Sequence, residues 1–280
     1  MSTSVTSAYD QARAENRAAL VGYLPAGFPS VEGAIEAAKA MVDGGCDVIE
    51  VGLPYTDPLM DGPTIQDAVH QALVGGVRLS DVFRTVEAIA ATGVPTLIMT
   101  YWNPVDRYGV DAFARDLKSA GGAGLITPDL TPEEGEDWLA ASDAHDLDRI
   151  FLVALSSTDE RLEKITKACR GFVYAASLMG VTGARSAVDT GAPLLVERTR
   201  KAISAVRVPG AASQSANLPV GLGLGVGNGA QAAEVAQFAD GVIVGSAFIR
   251  RLLDAPSPPA GLDAVREFAA ELAAGVRQKG

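Results

Sequence analysis

Leu20-Val21-Gly22-Tyr23-Leu24, Pro29-Ser30, the stretch from Val31 to Asp43, Gly44-Gly45 and Val48-Ile49-Glu50-Val51-Gly52 follow one another near the start of the chain. The outer runs are short and apolar, and the middle one has helical period. Ser30 is a good N-cap, and the paired glycines stop a helix. The segment therefore reads strand, helix, strand. The same unit recurs around Thr96-Leu97-Ile98-Met99-Thr100, Gly124-Leu125-Ile126, Ile150-Phe151-Leu152-Val153, Phe172-Val173-Tyr174, Pro219-Val220-Gly221-Leu222 and Gly241-Val242-Ile243-Val244. These runs are nearly continuous in apolar character and do not alternate, which suits a parallel sheet covered on both faces.

Helix signals fill the intervals. Thr131-Pro132-Glu133-Glu134 predicts a capping box, and Ser157-Thr158-Asp159-Glu160 predicts a second before the helix from Arg161 to Cys169. Val265, Phe268, Ala269, Leu272 and Val276 form one stripe of a C-terminal helix expected over 262–278. A further helical extension is expected over 1–18. The stretches 211–217 and 256–261 read as surface loops, and no linker divides the chain. One α/β domain over 1–280, a (β/α)8 TIM barrel with an extra N-terminal helix, is the expected fold. An open doubly wound sheet is the alternative.

Composition narrows the function. The chain has 280 residues with 23 basic and 34 acidic side chains, a net charge of −11. Nucleic acid and anionic membranes are poor partners for such a surface. His70 and His145 are far apart, and Cys46 and Cys169 are isolated, so a metal site and a histidine triad lack raw material. Met1 to Tyr9 has neither a basic start nor an apolar run, and a cytoplasmic protein is expected.

In a barrel of this kind chemistry gathers where strands end. Glu50 lies inside an apolar strand, where burial favours its neutral form and a role as proton donor; a rim salt bridge is the bland alternative. Asp61 follows on the same loop, either as the second member of an acid pair or as plain turn chemistry in Asp-Gly-Pro. Late in the chain, Gly180-Val181-Thr182-Gly183-Ala184-Arg185, the run Gly221 to Gly229, and Gly245-Ser246-Ala247 follow successive strands. Such loops, with a short helix N-terminus, hold a phosphate group in many barrels, though they also suit glycine corners. The run from Gly221 fits neither the dinucleotide fingerprint nor a nucleotide P-loop. Tyr23, Met99, Tyr101, Ile126 and Tyr174 are expected to line the opening between acids and glycines. Lys39, Lys118, Lys164, Lys167 and Lys201 fall in helical stretches, which argues against a Schiff-base aldolase.

Three stretches together resemble one family, the tryptophan synthase alpha subunit: Glu50-Val-Gly-Leu-Pro-Tyr-Thr-Asp-Pro-Leu-Met-Asp61-Gly-Pro-Thr-Ile-Gln66, Gly180-Val-Thr-Gly-Ala-Arg185 and Gly245-Ser-Ala247. The resemblance runs along essentially the whole chain. It implies a TIM barrel lyase that cleaves indole-3-glycerol phosphate into indole and glyceraldehyde 3-phosphate, with no cofactor in this chain. It implies Glu50 and Asp61 as catalytic residues, and Tyr174, Tyr23, Tyr101 and Thr182 as substrate contacts. Gly183, Gly225, Gly245 and Ser246 would hold the phosphate, and Arg185 would lie in a closing loop. The implied partner is a pyridoxal-phosphate beta subunit in an αββα tetramer, met by the 51–63 loop and by Trp102-Asn103-Pro104. Pro25 replaces a threonine usual in the family, Thr56 and Met60 depart from it in the acid loop, and Leu155-Ser156 and Leu178-Met179 depart after later strands. The Pro25 and Met60 changes motivate one alternative, a subunit that chiefly activates its beta partner; a second alternative is another phosphate-binding barrel lyase or isomerase.

Overall fold

The computed structural model describes residues 4–177, 191–205 and 218–278. Its elements run α1 (Val5–Ala14), β1 (Ala19–Pro25), α2 (Val31–Asp43), β2 (Val48–Gly52), α3 (Pro63–Val74), α4 (Leu79–Ala90) and β3 (Thr96–Met99). They continue with α5 (Trp102–Tyr108), α6 (Val110–Ser119), β4 (Gly124–Thr127), α7 (Glu136–Ala144), β5 (Asp148–Ala154), α8 (Asp159–Ala168) and β6 (Val173–Ala176). The last are α9 (Gly191–Ala205), β7 (Val220–Gly223), α10 (Gly229–Ala236), β8 (Gly241–Val244), α11 (Ser246–Leu253) and α12 (Pro258–Val276). All neighbouring strands pair in parallel, and β8 returns to β1. The sheet is a closed barrel in the order β1 to β8. The open-sheet alternative is excluded.

Local chemistry explains most boundaries. Ser30 caps α2 by accepting from the Gly33 N–H, and Thr158 caps α8 by accepting from the Arg161 N–H. The capping box expected at Thr131 does not form. The Thr131 carbonyl accepts from the Glu134 N–H and closes a turn, while the Thr131 hydroxyl donates to the Glu134 carboxylate. Helix α7 starts only at Glu136, because the reciprocal groups of the box bond each other instead of the backbone. The C-terminal helix begins at Pro258, earlier than the residue-262 start read from the apolar stripe, since Ser257 caps it and proline suits the first turn. The connection after β2 holds two helices where the repeat suggested one.

The register stacks side chains inside the barrel in layers, each supplied by alternate strands. Tyr23, Met99, Leu152 and Gly223, from the odd strands, lie nearest the carboxyl mouth. Glu50, Ile126, Tyr174 and Ile243, from the even strands, form the middle layer. Val21, Leu97, Ile150 and Gly221 lie beneath, and Val48, Gly124, Phe172 and Gly241 below them. Helix α1 closes the amino end with Val5, Tyr9 and Ala12 buried. Large and small residues alternate so that aromatic rings fit: Tyr23 lies across Gly52 and Gly245, Tyr174 across Gly223, and Tyr9 across Gly221 and Gly241.

Candidate active site

Strand β2 places Glu50 in the middle layer, with none of its surface reaching solvent. Neither carboxylate oxygen has a hydrogen-bond partner among the described residues. Burial alone pushes its carboxyl up to about 8, so the neutral acid predominates near pH 7. A salt bridge at the rim, the bland reading of this residue, is not what the fold builds. The apolar strand predicted burial of Glu50, and the closed barrel makes that burial complete.

Asp61 stands at the mouth, on the loop between β2 and α3. Desolvation raises its carboxyl above the usual aspartate range, and the Tyr101 hydroxyl opposes that rise. Gly62 and Pro63 begin α3, so Asp-Gly-Pro is a helix entry as well as a carboxylate carrier. The Asp61 carbonyl accepts from the Gln66 side-chain amide at 2.7 Å, which ties the loop to that helix.

Tyr101 organises this loop from the end of β3. Its hydroxyl accepts from the Leu59 N–H at 3.0 Å and from the Met60 N–H at 2.9 Å. Its ring packs on Tyr55 with centroids 5.6 Å apart, and the Tyr55 hydroxyl accepts from the Asn103 amide at 3.1 Å. Tyr23, Tyr101, Met99, Leu53 and Asp61 line one narrow cavity at the mouth. Tyr174 and Ile126 do not reach it: they share the layer of Glu50, one step deeper, because the register sets them there.

The phosphate candidates divide. Gly225 adopts φ +85° with open space around it, as a backbone donor approached closely by a ligand would need. Gly245 and Ser246 begin α11, whose N-cap has no side-chain hydrogen bond. The neighbouring helix α10 differs: Asn228 caps it, and the Glu271 carboxylate accepts from the Gly229 N–H at 2.6 Å. The free helix end is therefore that of α11. Thr182, Gly183 and Arg185, with Leu178 and Met179, lie outside the described residues. Among the described residues no cluster of histidine, cysteine, aspartate and glutamate could hold a metal ion. Lys39, Lys118, Lys164, Lys167 and Lys201 all lie in helices, away from strand ends.

Two features were missed in the sequence. One is the bond from Tyr101 to the loop amides, since tyrosine beside a strand end reads equally well as packing. The other is Tyr9, whose signal was present in the spacing of Val5, Tyr9 and Ala12 on one helix face.

A closed parallel barrel with a neutral acid at its centre and a second carboxylate at its carboxyl mouth defines the class: a (β/α)8-barrel enzyme. The family model for the tryptophan synthase alpha chain matches residues 9–277. The chain is 65% identical to the tryptophan synthase alpha chain of Salinispora arenicola over 270 residues, 96% of each chain. It is 61% identical to that of Thermobifida fusca over 267 residues, 95% of each. A solved structure of Mycobacterium tuberculosis tryptophan synthase superposes with a TM-score of 0.87 at 56% identity, covering 99% of each chain. The chain belongs to the tryptophan synthase alpha chain family.

Proposed function

We propose that this chain is a carbon–carbon lyase that cleaves indole-3-glycerol phosphate to indole and glyceraldehyde 3-phosphate in tryptophan biosynthesis. Indole is a poor carbon leaving group until its C3 is protonated and positive charge reaches the ring nitrogen. Glu50, neutral near pH 7, gives its proton to C3. Asp61 accepts a hydrogen bond from the indole N–H and opposes the charge growing there, which is electrostatic stabilisation of the transition state. The glycerol hydroxyl beside the breaking bond then loses its proton to the Glu50 carboxylate, the carbon–carbon bond breaks, and the aldehyde forms. One proton leaves Glu50 and one returns, so the acid is regenerated.

Tyr23 and Tyr101 supply apolar surface for the indole, and Tyr174 braces Glu50 within its layer. The N–H groups of Gly225, Gly245 and Ser246 meet the phosphate at the α11 N-terminus, with Thr182 and Gly183 assigned to the same end by family resemblance. This scheme asks for no cofactor in this chain. Pyridoxal phosphate belongs to the beta subunit, which takes up the indole in an αββα tetramer. The rim carrying Leu59 (79% exposed) and Met60 suits that contact: these two side chains are apolar, and Tyr55 joins their loop to the one that carries Asn103. No helix among the described residues is long and apolar enough to cross a membrane, in keeping with a cytoplasmic enzyme. The whole chain works as one domain, with the N-terminal and C-terminal helices packed on the barrel.

The single observation that carries this reading is the buried acid at the barrel centre directly beneath a mouth that holds Asp61. The test is indole release from indole-3-glycerol phosphate by the purified chain, alone and with a beta chain. The wild-type chain is expected to turn over and Glu50→Gln to be inactive in both settings. Equal rates for the two would remove Glu50 from the mechanism. Turnover by neither chain, with a raised beta-chain rate, would point instead to a subunit that only activates its partner.

A further inference from the structure

The middle layer that holds Glu50 is otherwise apolar except for Tyr174, yet one more polar atom enters the barrel from below. Tyr9 rises from α1 into the amino end of the barrel and is 2% exposed. Its ring packs on Phe172 with centroids 5.5 Å apart, and Phe172 packs in turn on Tyr174 at 6.2 Å. Its hydroxyl occupies a shaft left by two glycines. A Cβ on Gly221 would lie 2.8 Å from that oxygen, and one on Gly241 would lie 2.5 Å from it. Gly221 belongs to the layer of Val21, Leu97 and Ile150, immediately beneath Glu50. The hydroxyl is fully buried and without a partner among the described residues, as are both oxygens of Glu50.

Burial of an unpaired hydroxyl is costly, and phenylalanine would fill the same space without that cost. A packing role alone does not account for the oxygen. The two orphaned groups lie in successive layers of the barrel, with Phe172 and Tyr174 beside them, and the Glu50 carboxyl is the foremost charge acting on the Tyr9 hydroxyl.

We propose that Tyr9 is a positioning residue for Glu50: from the N-terminal helix, its hydroxyl supports the carboxyl from beneath through one internal water and holds it upward toward the substrate. The proposal rests on the reading of Glu50 as the proton donor. It makes α1 part of the active apparatus as well as a plug for the barrel. The ionisable groups around the pair are few. Tyr23 and Tyr174 lie near Glu50 on β1 and β6, Asp61 acts on those same two tyrosines from the mouth, and Asp47 and Asp240 act on Tyr9 from the amino end. Among the described residues no cation acts on this group, so the donors open to the ionised carboxylate are tyrosine hydroxyls, and Tyr9 supplies the one from beneath.

Tyr9→Phe removes the oxygen and keeps the ring. In the full chain, assayed with its beta partner, kcat for indole release is expected to fall about 3- to 10-fold with KM within about twofold. The falling limb of the pH–rate profile is expected to move upward by about 0.5–1 unit, because a donor to the ionised carboxylate has been lost. Thermal stability is expected to hold or rise, which a structural role for the hydroxyl would not give. If Tyr9→Phe proves unstable, the 13C-detected titration of the Glu50 carboxyl at low temperature reads the same upward movement without turnover. Unchanged kcat and an unmoved profile would overturn the proposal. Glu50→Gln, measured alongside, separates the failures: full activity there refutes the role of Glu50, whereas an inactive Glu50→Gln with a normal Tyr9→Phe refutes Tyr9 alone.

Discussion

Replacing Glu50 by glutamine should make the stability of the protein less dependent on pH, in a direction the burial of the carboxyl fixes. The carboxyl ionises at about 8 in the folded chain, against an ordinary value of 4.5. Between those values the folded chain keeps a proton that the unfolded chain has released. Stability is therefore lost as pH rises from about 4.5 to about 8 and is level above that. The gap of about 3.5 units corresponds to about 5 kcal/mol at 1.36 kcal/mol per unit, an upper figure that relaxation and water entry reduce to about 2–5. Glutamine cannot ionise and escapes the loss. Urea unfolding of both proteins from pH 5 to pH 9 measures it. The advantage of Glu50→Gln is expected to grow through that range and to level off above pH 8. A difference flat to within about 0.5 kcal/mol would refute the premise that a neutral acid is buried in the middle layer.

Other substitutions report on the surroundings of the acid. Tyr101→Phe leaves the Leu59 and Met60 N–H groups without their acceptor; it is expected to cost about 1 kcal/mol of stability in thermal unfolding and to lower kcat about tenfold through displacement of Asp61. Gly223→Ala would put a Cβ 2.6 Å from the Tyr174 hydroxyl, so the ring must shift, and kcat is expected to fall about tenfold with a stability loss of about 1–3 kcal/mol. Gly225→Ala meets no atom but must hold φ +85°; a strain of about 1–2 kcal/mol is expected, appearing in steady-state kinetics chiefly as a KM raised about tenfold.

Much of the fold was legible because it repeats. Each buried parallel strand reads as an unbroken apolar run, so all eight strands stood out, with ends shifted by one or two residues at most. The helix at Thr131 misled because its threonine and glutamate had the right spacing for a cap, and only three-dimensional packing decided that they would bond each other. At the site, Glu50 was legible as a charge out of place in a strand, and the α11 glycine as a helix entry. The depth of Tyr174 and Ile126 was not, because layer membership depends on the register between strands, which no single run encodes. Tyr9 escaped for a related reason: its significance lies in Gly221 and Gly241, more than 200 residues away in the chain, which leave room for its hydroxyl.

The most direct test of the account is the protonation state of Glu50 itself, read in the full-length protein. Infrared difference spectra between wild type and Glu50→Gln isolate the carboxyl band of this one residue. The expected result is a neutral-acid band present at pH 7 that gives way to carboxylate around pH 8. A Glu50 already ionised at pH 6 would contradict the account, for the barrel would then hold no proton to give.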